Sequence, residues 1–157
     1  MDPFTTIVQF LVITTLAGIV ATGGMTLFMT TLTRSGITNA DMVRAIGGIF
    51  TKSEDEEALM LGSLLHLVSG ISFAMVYTLV LVYFKVPQGL ATVGGTMLLG
   101  AFHGFVLSFL LVIAVAENHP VSRFQDAGFG VAVAHFLGHI LYGFLVGAVL
   151  TALDLHF

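Results

Sequence analysis

The chain contains no cysteine and no tryptophan, and only 9% of its 157 residues carry charge. Without thiols there can be no disulfides, thiolate metal sites or cysteine-ligated iron–sulfur clusters, so any metal centre must draw on histidine. Five Lys and Arg against nine Asp and Glu form no basic run, which removes the electrostatic footprint that nucleic-acid binding requires. What remains is apolar. Hydrophobic residues make up 57% of the chain and the mean hydropathy is +1.03, too little polarity to cover a water-soluble domain. The composition is that of a membrane protein, with the lipid bilayer as its first partner.

The few charges divide the chain into four apolar runs, about 4–33, 58–84, 89–116 and 127–153. Each exceeds the ~20 residues that cross ~30 Å of hydrocarbon as a helix. An unpaired backbone finds no partner in lipid, so each run is expected to be continuous helix. The expected fold is all-α: a single integral-membrane domain, 1–157, built as a four-transmembrane-helix bundle. The opening "MDPF" lacks a basic n-region and is followed by an apolar stretch too long for a signal h-region, so the first run reads as a retained span.

Loops carry the orientation. Arg34, Arg44 and Lys52 lie in the first connection and Arg123 in the third, against Lys85 alone in the second. By the positive-inside rule this puts both termini on the non-cytoplasmic side. Within the first connection, "TNADMVRAIGGIF" places Met42, Ile46, Ile49 and Phe50 along one side behind Asn39 or Asp41 as a cap. It predicts a short helix, either lying in the interface or packed on the end of the bundle. "SEDE", Ser53 to Glu56, has the form of a capping box for the second span, and Asp126 is placed to open the fourth. His119, beside Pro120, and His156 are expected in solvent.

The stretch "HFLGHILYGFLVG", 135–147, puts His135, His139, Gly143 and Gly147 on one helical stripe. The second span repeats this with Gly62, His66, Gly70 and Ala74, so that a shift of 73 residues lays His66 on His139. The match predicts a pseudo-two-fold axis along the membrane normal, relating two helical hairpins. The first and third spans do not extend it: "ATGGM" and "ATVGGTM" are alike but fall at different depths. His103 adds a fourth imidazole, flanked by Gly100 and Gly104 as a small-xxx-small pair. Counted from the cytoplasmic ends, His66 and His135 lie ~13 Å deep and His103 and His139 ~20 Å deep.

Histidine in lipid needs a partner, and no span contains an acidic or basic side chain to provide one. Three readings follow. Two neutral imidazoles on facing helices can ligate a haem b, with His66 and His139 as the first pair of haem-iron ligands and His103 with His135 as the second; a chlorophyll-type pigment would need only one of the four. In that reading Gly62, Gly70, Gly100, Gly104, Gly143 and Gly147 pack helices near the cofactor and make room for it. The histidines could instead line a carrier for a transition metal or small solute. In the third reading no cofactor binds, and the small residues pack an accessory or assembly subunit into a larger complex. No Ser/His/Asp constellation or other catalytic set is visible, so an enzyme is not expected.

With "HFLGHILYGFLVG" in place, the layout resembles four-helix membrane cytochrome b subunits, which implies electron transfer within a respiratory or photosynthetic complex beside other membrane subunits. "LAGIVATGGMTLFM" and "GSLLHLVSGISFAMVYTLVL" are similar to small uncharacterised four-helix bacterial membrane proteins. That second resemblance implies a bacterial source and no activity.

Overall fold

A computed structural model describes residues 3–153, apart from the side chains of residues 3, 110, 111 and 113. His156, expected in solvent, lies outside the described residues. All regular structure among them is helical. Helix α1 spans Pro3–Arg34, α2 Met42–Thr51, α3 Glu56–Tyr83, α4 Leu90–Phe105, α5 Val112–Glu117 and α6 Phe129–Ala152. A π-helical stretch, Val106–Leu111, joins α4 to α5, and a 3-10 turn, Ser122–Phe124, precedes α6. Four segments are long and apolar enough to cross a membrane: Phe4–Arg34, Glu56–Tyr83, Leu90–Glu117 and Phe129–Ala152. Large apolar side chains cover their outer faces, with Leu90, Leu98, Phe102 and Phe129 all at least 70% exposed, as lipid contact requires.

The third span is not the continuous α-helix expected. Inside the π stretch the Val112 N–H donates to the Leu107 carbonyl, five residues back, which widens one turn. The wide turn re-phases the helix, so that Leu107 on one side of it and Val112, Val115 and Ala116 on the other all face the same internal space.

Helix ends differ from expectation by a few residues, for chemical reasons. Asp41 caps α2, accepting from the Arg44 N–H. For α3 the cap is Asp55, whose carboxylate accepts from the N–H groups of Glu57 and Ala58 at 3.1 and 3.2 Å, and not Ser53. Ser53 faces Thr51 and the Asp55 carboxyl itself, not the helix N–H groups. Hydrogen bonding from Ser53, Ala58 and Glu57 holds the Asp55 carboxyl below the usual carboxylate range. This support for the start of α3 is therefore complete above that usual range and fades as pH falls through the lowered value. The fourth span has Gly128 as a cap without a side-chain bond and becomes helical at Phe129, two residues beyond the start expected from its apolar run, and Asp126 is left in the loop.

Packing is set by small residues. Helix α6 lies between α1 and α4, α1 also packs along α3, and α3 touches α4 only lightly. A β-carbon on Gly143 would collide with the Thr96 carbonyl oxygen, and one on Gly100 with the His139 carbonyl oxygen. In the other hairpin Gly70 receives the Thr22 hydroxyl, and Gly18 lies against the Ile71 backbone. Helix α2 docks on α3 by the same device, Gly47 on the Ala58 carbonyl and Gly62 on the Val43 carbonyl. Its buried face is accordingly Met42, Val43, Gly47 and Gly48, whereas Phe50, expected on the apolar side, is exposed.

Gly143→Ala should destabilise the bundle by about 1–3 kcal/mol, since the overpacked crossing must open. Gly94→Ala, where an added β-carbon meets nothing within 4 Å, should be neutral or slightly stabilising through helix propensity. Unfolding in mixed micelles followed by circular dichroism checks both signs.

Candidate functional site: a cavity floored by histidines

Because α3 and α4 diverge, a cavity of about 360 Å3 is left between them and α6, towards the α2 end of the bundle. Ile46, Leu65, Leu107 and Val115 make its walls apolar, while Asn39, Asp41, Arg123 and Asp126 stand at the polar end. His66, His103, His135 and His139 all line it. The structure thus brings together all four imidazoles singled out by the sequence, from three different helices.

Their hydrogen bonds fix what two of them present. His135 Nδ1 lies 2.8 Å from the Val131 carbonyl oxygen and His139 Nδ1 lies 2.7 Å from that of His135. A carbonyl only accepts, so each neutral ring carries its proton on Nδ1 and keeps a lone pair on Nε2. Neither Nε2 has a hydrogen-bond partner among the described residues, although both side chains are more than nine-tenths buried. This is the second-contact arrangement typical of metal-ligating imidazoles, where the outer N–H fixes tautomer and ring direction.

His66 and His103 are held by hydroxyls. His66 Nδ1 meets Thr26 Oγ1 at 3.2 Å, and His103 Nδ1 meets the Tyr77 hydroxyl at 2.9 Å. The His103 ring stacks on Phe73, with centroids 3.9 Å apart, and sits edge-on to His139 at 4.7 Å. Its Nε2 is buried with no partner. Tyr77 in turn packs edge-on against Tyr142, whose hydroxyl donates to the Gly70 carbonyl at 2.5 Å. This last bond ties α6 to α3 across the bundle.

The glycines take another place than the one expected. Of the six, only Gly70 lines the cavity. Gly62 is filled by α2, and Gly100, Gly104, Gly143 and Gly147 are filled by the contact between α4 and α6, Gly104 lying directly under the His139 side chain. The room beside the imidazoles comes from the divergence of α3 and α4, not from absent side chains.

His119, expected in solvent, is only 3% exposed. Its Nε2–H donates to the Ala45 carbonyl at 2.9 Å and its Nδ1 accepts from the Val121 N–H at 3.0 Å, which pins the loop before α6 to α2. Arg123 completes the strap, reaching Glu54 at 2.9 Å, Asn39 at 3.3 Å and Asp41 at 3.5 Å. Sequence reasoning missed both residues because their partners lie about 70 to 80 positions away. The one local signal was Gly48, whose missing β-carbon leaves space for the His119 ring.

No group of three or more His, Asp or Glu side chains among the described residues is arranged to hold a metal ion. No protein family, curated protein or solved structure matches the chain.

Tyr142→Phe should leave the Gly70 carbonyl without its partner and cost about 0.6–1.7 kcal/mol, the span measured for interhelical hydrogen bonds in lipid. Reversible unfolding in mixed micelles measures it; an unchanged stability would show that this bond does not brace the cavity.

Proposed function

We propose that the protein is a small integral-membrane subunit of a respiratory or photosynthetic electron-transfer complex, holding haem b in the histidine cavity. The observation that carries the reading is the orientation of His135 and His139. Both present an Nε2 lone pair to an apolar cavity, the state an axial ligand must have. The haem would supply one-electron chemistry; the chain's residues bind it, orient it and exclude water.

The rings narrow the ligand pairs. His103 lies too close to His139 for a macrocycle to stand between those two rings, so His103 is a neighbour of the ligand and not its opposite partner. His66, on the far helix, pairs with His139 as the sequence stripe suggests. A chlorophyll-type pigment fits the same donors with a single axial imidazole. The cofactor-free accessory subunit is the second reading, favoured by the use of five of the six stripe glycines in helix contacts alone. A histidine-lined carrier for a transition metal or small solute would use the same four imidazoles.

Each hairpin is closed by a threonine on a glycine, the Thr22 hydroxyl on Gly70 and the Thr96 carbonyl on Gly143, but α1 packs along α6 while α3 touches α4 only lightly, so the internal two-fold extends to these paired positions and not to the packing of the hairpins. Since Arg34, Arg44, Lys52 and Arg123 gather at the α2 end and Lys85 lies at the other, we read that end as cytoplasmic in a bacterial inner membrane, with both termini outside.

The test is the visible spectrum of gently purified protein before and after dithionite. Sharp reduced bands of a b-type haem are expected, lost in His139→Ala and His66→Ala but kept in Tyr142→Phe. A chlorin-like band would replace haem by a pigment, and a spectrum without any chromophore from protein made in haem-replete cells would leave the accessory subunit.

A further inference from the structure

A second void lies on the other side of α2 and shares only Asp41 and Met42 with the lining of the histidine cavity. This groove, about 440 Å3, runs between the last turns of α1, the start of α2 and the first turns of α3. We propose that it binds the head group of one anionic phospholipid, with the phosphate between Arg34 and Arg44.

Charge gives the head group. Two guanidinium groups line the groove and Asp41 is the one carboxylate on it. That carboxylate is already used: its Oδ2 takes Arg44 at 3.3 Å and Arg123 at 3.5 Å, and its Oδ1 accepts the Arg44 N–H. Arg34 forms no ion pair among the described residues, so two cations share a groove with less than one carboxylate's compensation. An anion between them relieves that repulsion.

Hydroxyls sharpen the site. Thr33 Oγ1 donates to the Met29 carbonyl and accepts from the Ala40 N–H, and Ser63 donates to the Leu59 carbonyl. Thr30, also on the groove, makes no hydrogen bond within the described residues and remains a donor for a phosphate oxygen. The lining stays polar along its length, Arg34, Thr33 and Thr30 being followed inwards by the buried Met29 and by Thr26, and Leu59 by Ser63, so the groove takes a head group and leaves the acyl chains to the surrounding bilayer. Arg34 closes a membrane-spanning helix, so the cations stand at head-group depth.

The experiment is native mass spectrometry of delipidated full-length protein in neutral detergent, titrated with dioleoylphosphatidylglycerol, dioleoylphosphatidylcholine or inorganic phosphate. One phosphatidylglycerol should be retained in preference to phosphatidylcholine, and Arg34→Gln should weaken it roughly fivefold, the effect of one basic residue near an anionic surface. Thr30→Val keeps every charge and should weaken it as well, which covers the case in which Arg34→Gln fails to fold. Equal retention of both lipids, or unchanged binding in the variants, overturns the proposal. Displacement of the lipid by millimolar phosphate would mean an anion site without a lipid, and also overturns it. None of these readings depends on a chromophore.

Discussion

In this bundle a carbonyl oxygen of one helix repeatedly sits where its neighbour would carry a β-carbon. His139 makes this contact on Gly100, Thr96 on Gly143, Val43 on Gly62 and Ala58 on Gly47. Lipid tails are as apolar as leucine, so helices gain nothing from hiding apolar surface against one another and must associate through close packing and hydrogen bonds. Where glycines permit it, as between α4 and α6, the helices come together. Between α3 and α4 no such stripe exists, the helices diverge, and the space between them is the histidine cavity. The cavity is thus a consequence of where close packing stops.

Polar groups inside the bundle obey the complementary constraint. Buried Thr14, Thr78 and Thr96 return their hydroxyls to carbonyls on their own helices, at 2.7 to 3.0 Å, and so cost nothing in lipid. The imidazoles cannot do this completely, because each ring has two nitrogens and the helix backbone serves one. His103 Nε2 and Ser108 Oγ, buried and unpaired, flank the same region of the third span. Unsatisfied groups are rare in native interiors, and of the four among the described residues only His103 Nε2 is on a residue that lines the cavity, Gln9 and Thr22 lying on α1.

Much of this was legible in the sequence. Four apolar runs fixed the helix number, and the i, i+4 stripes identified both the imidazoles and the small residues that pack beside them. What the stripes could not show was rotation: the same glycines that promised space for a cofactor are occupied by backbone, since periodicity gives a face but not its neighbour. The π turn was hidden because it leaves hydropathy unchanged. His119 was read as a solvated loop residue for a different reason. Its burial depends on α2 folding back over the bundle, and that docking rests on Gly47 and Gly62 meeting carbonyls that no local pattern announces.

The four imidazoles are consequently not equivalent. His135 and His139 bond to carbonyls, which can only accept, so their tautomer is fixed by α6 itself and does not depend on what enters the cavity. His66 and His103 bond to hydroxyls of Thr26 and Tyr77, which donate or accept, so either nitrogen of these rings can carry the proton. The cavity therefore combines two permanent lone pairs with two imidazoles whose tautomer can change. Thr26 gives this adjustment a second connection, because its residue also lines the groove behind α2. The hydrogen bond between Thr26 and His66 thus joins residues of the two voids, and its direction sets whether His66 Nε2 carries a proton or a lone pair.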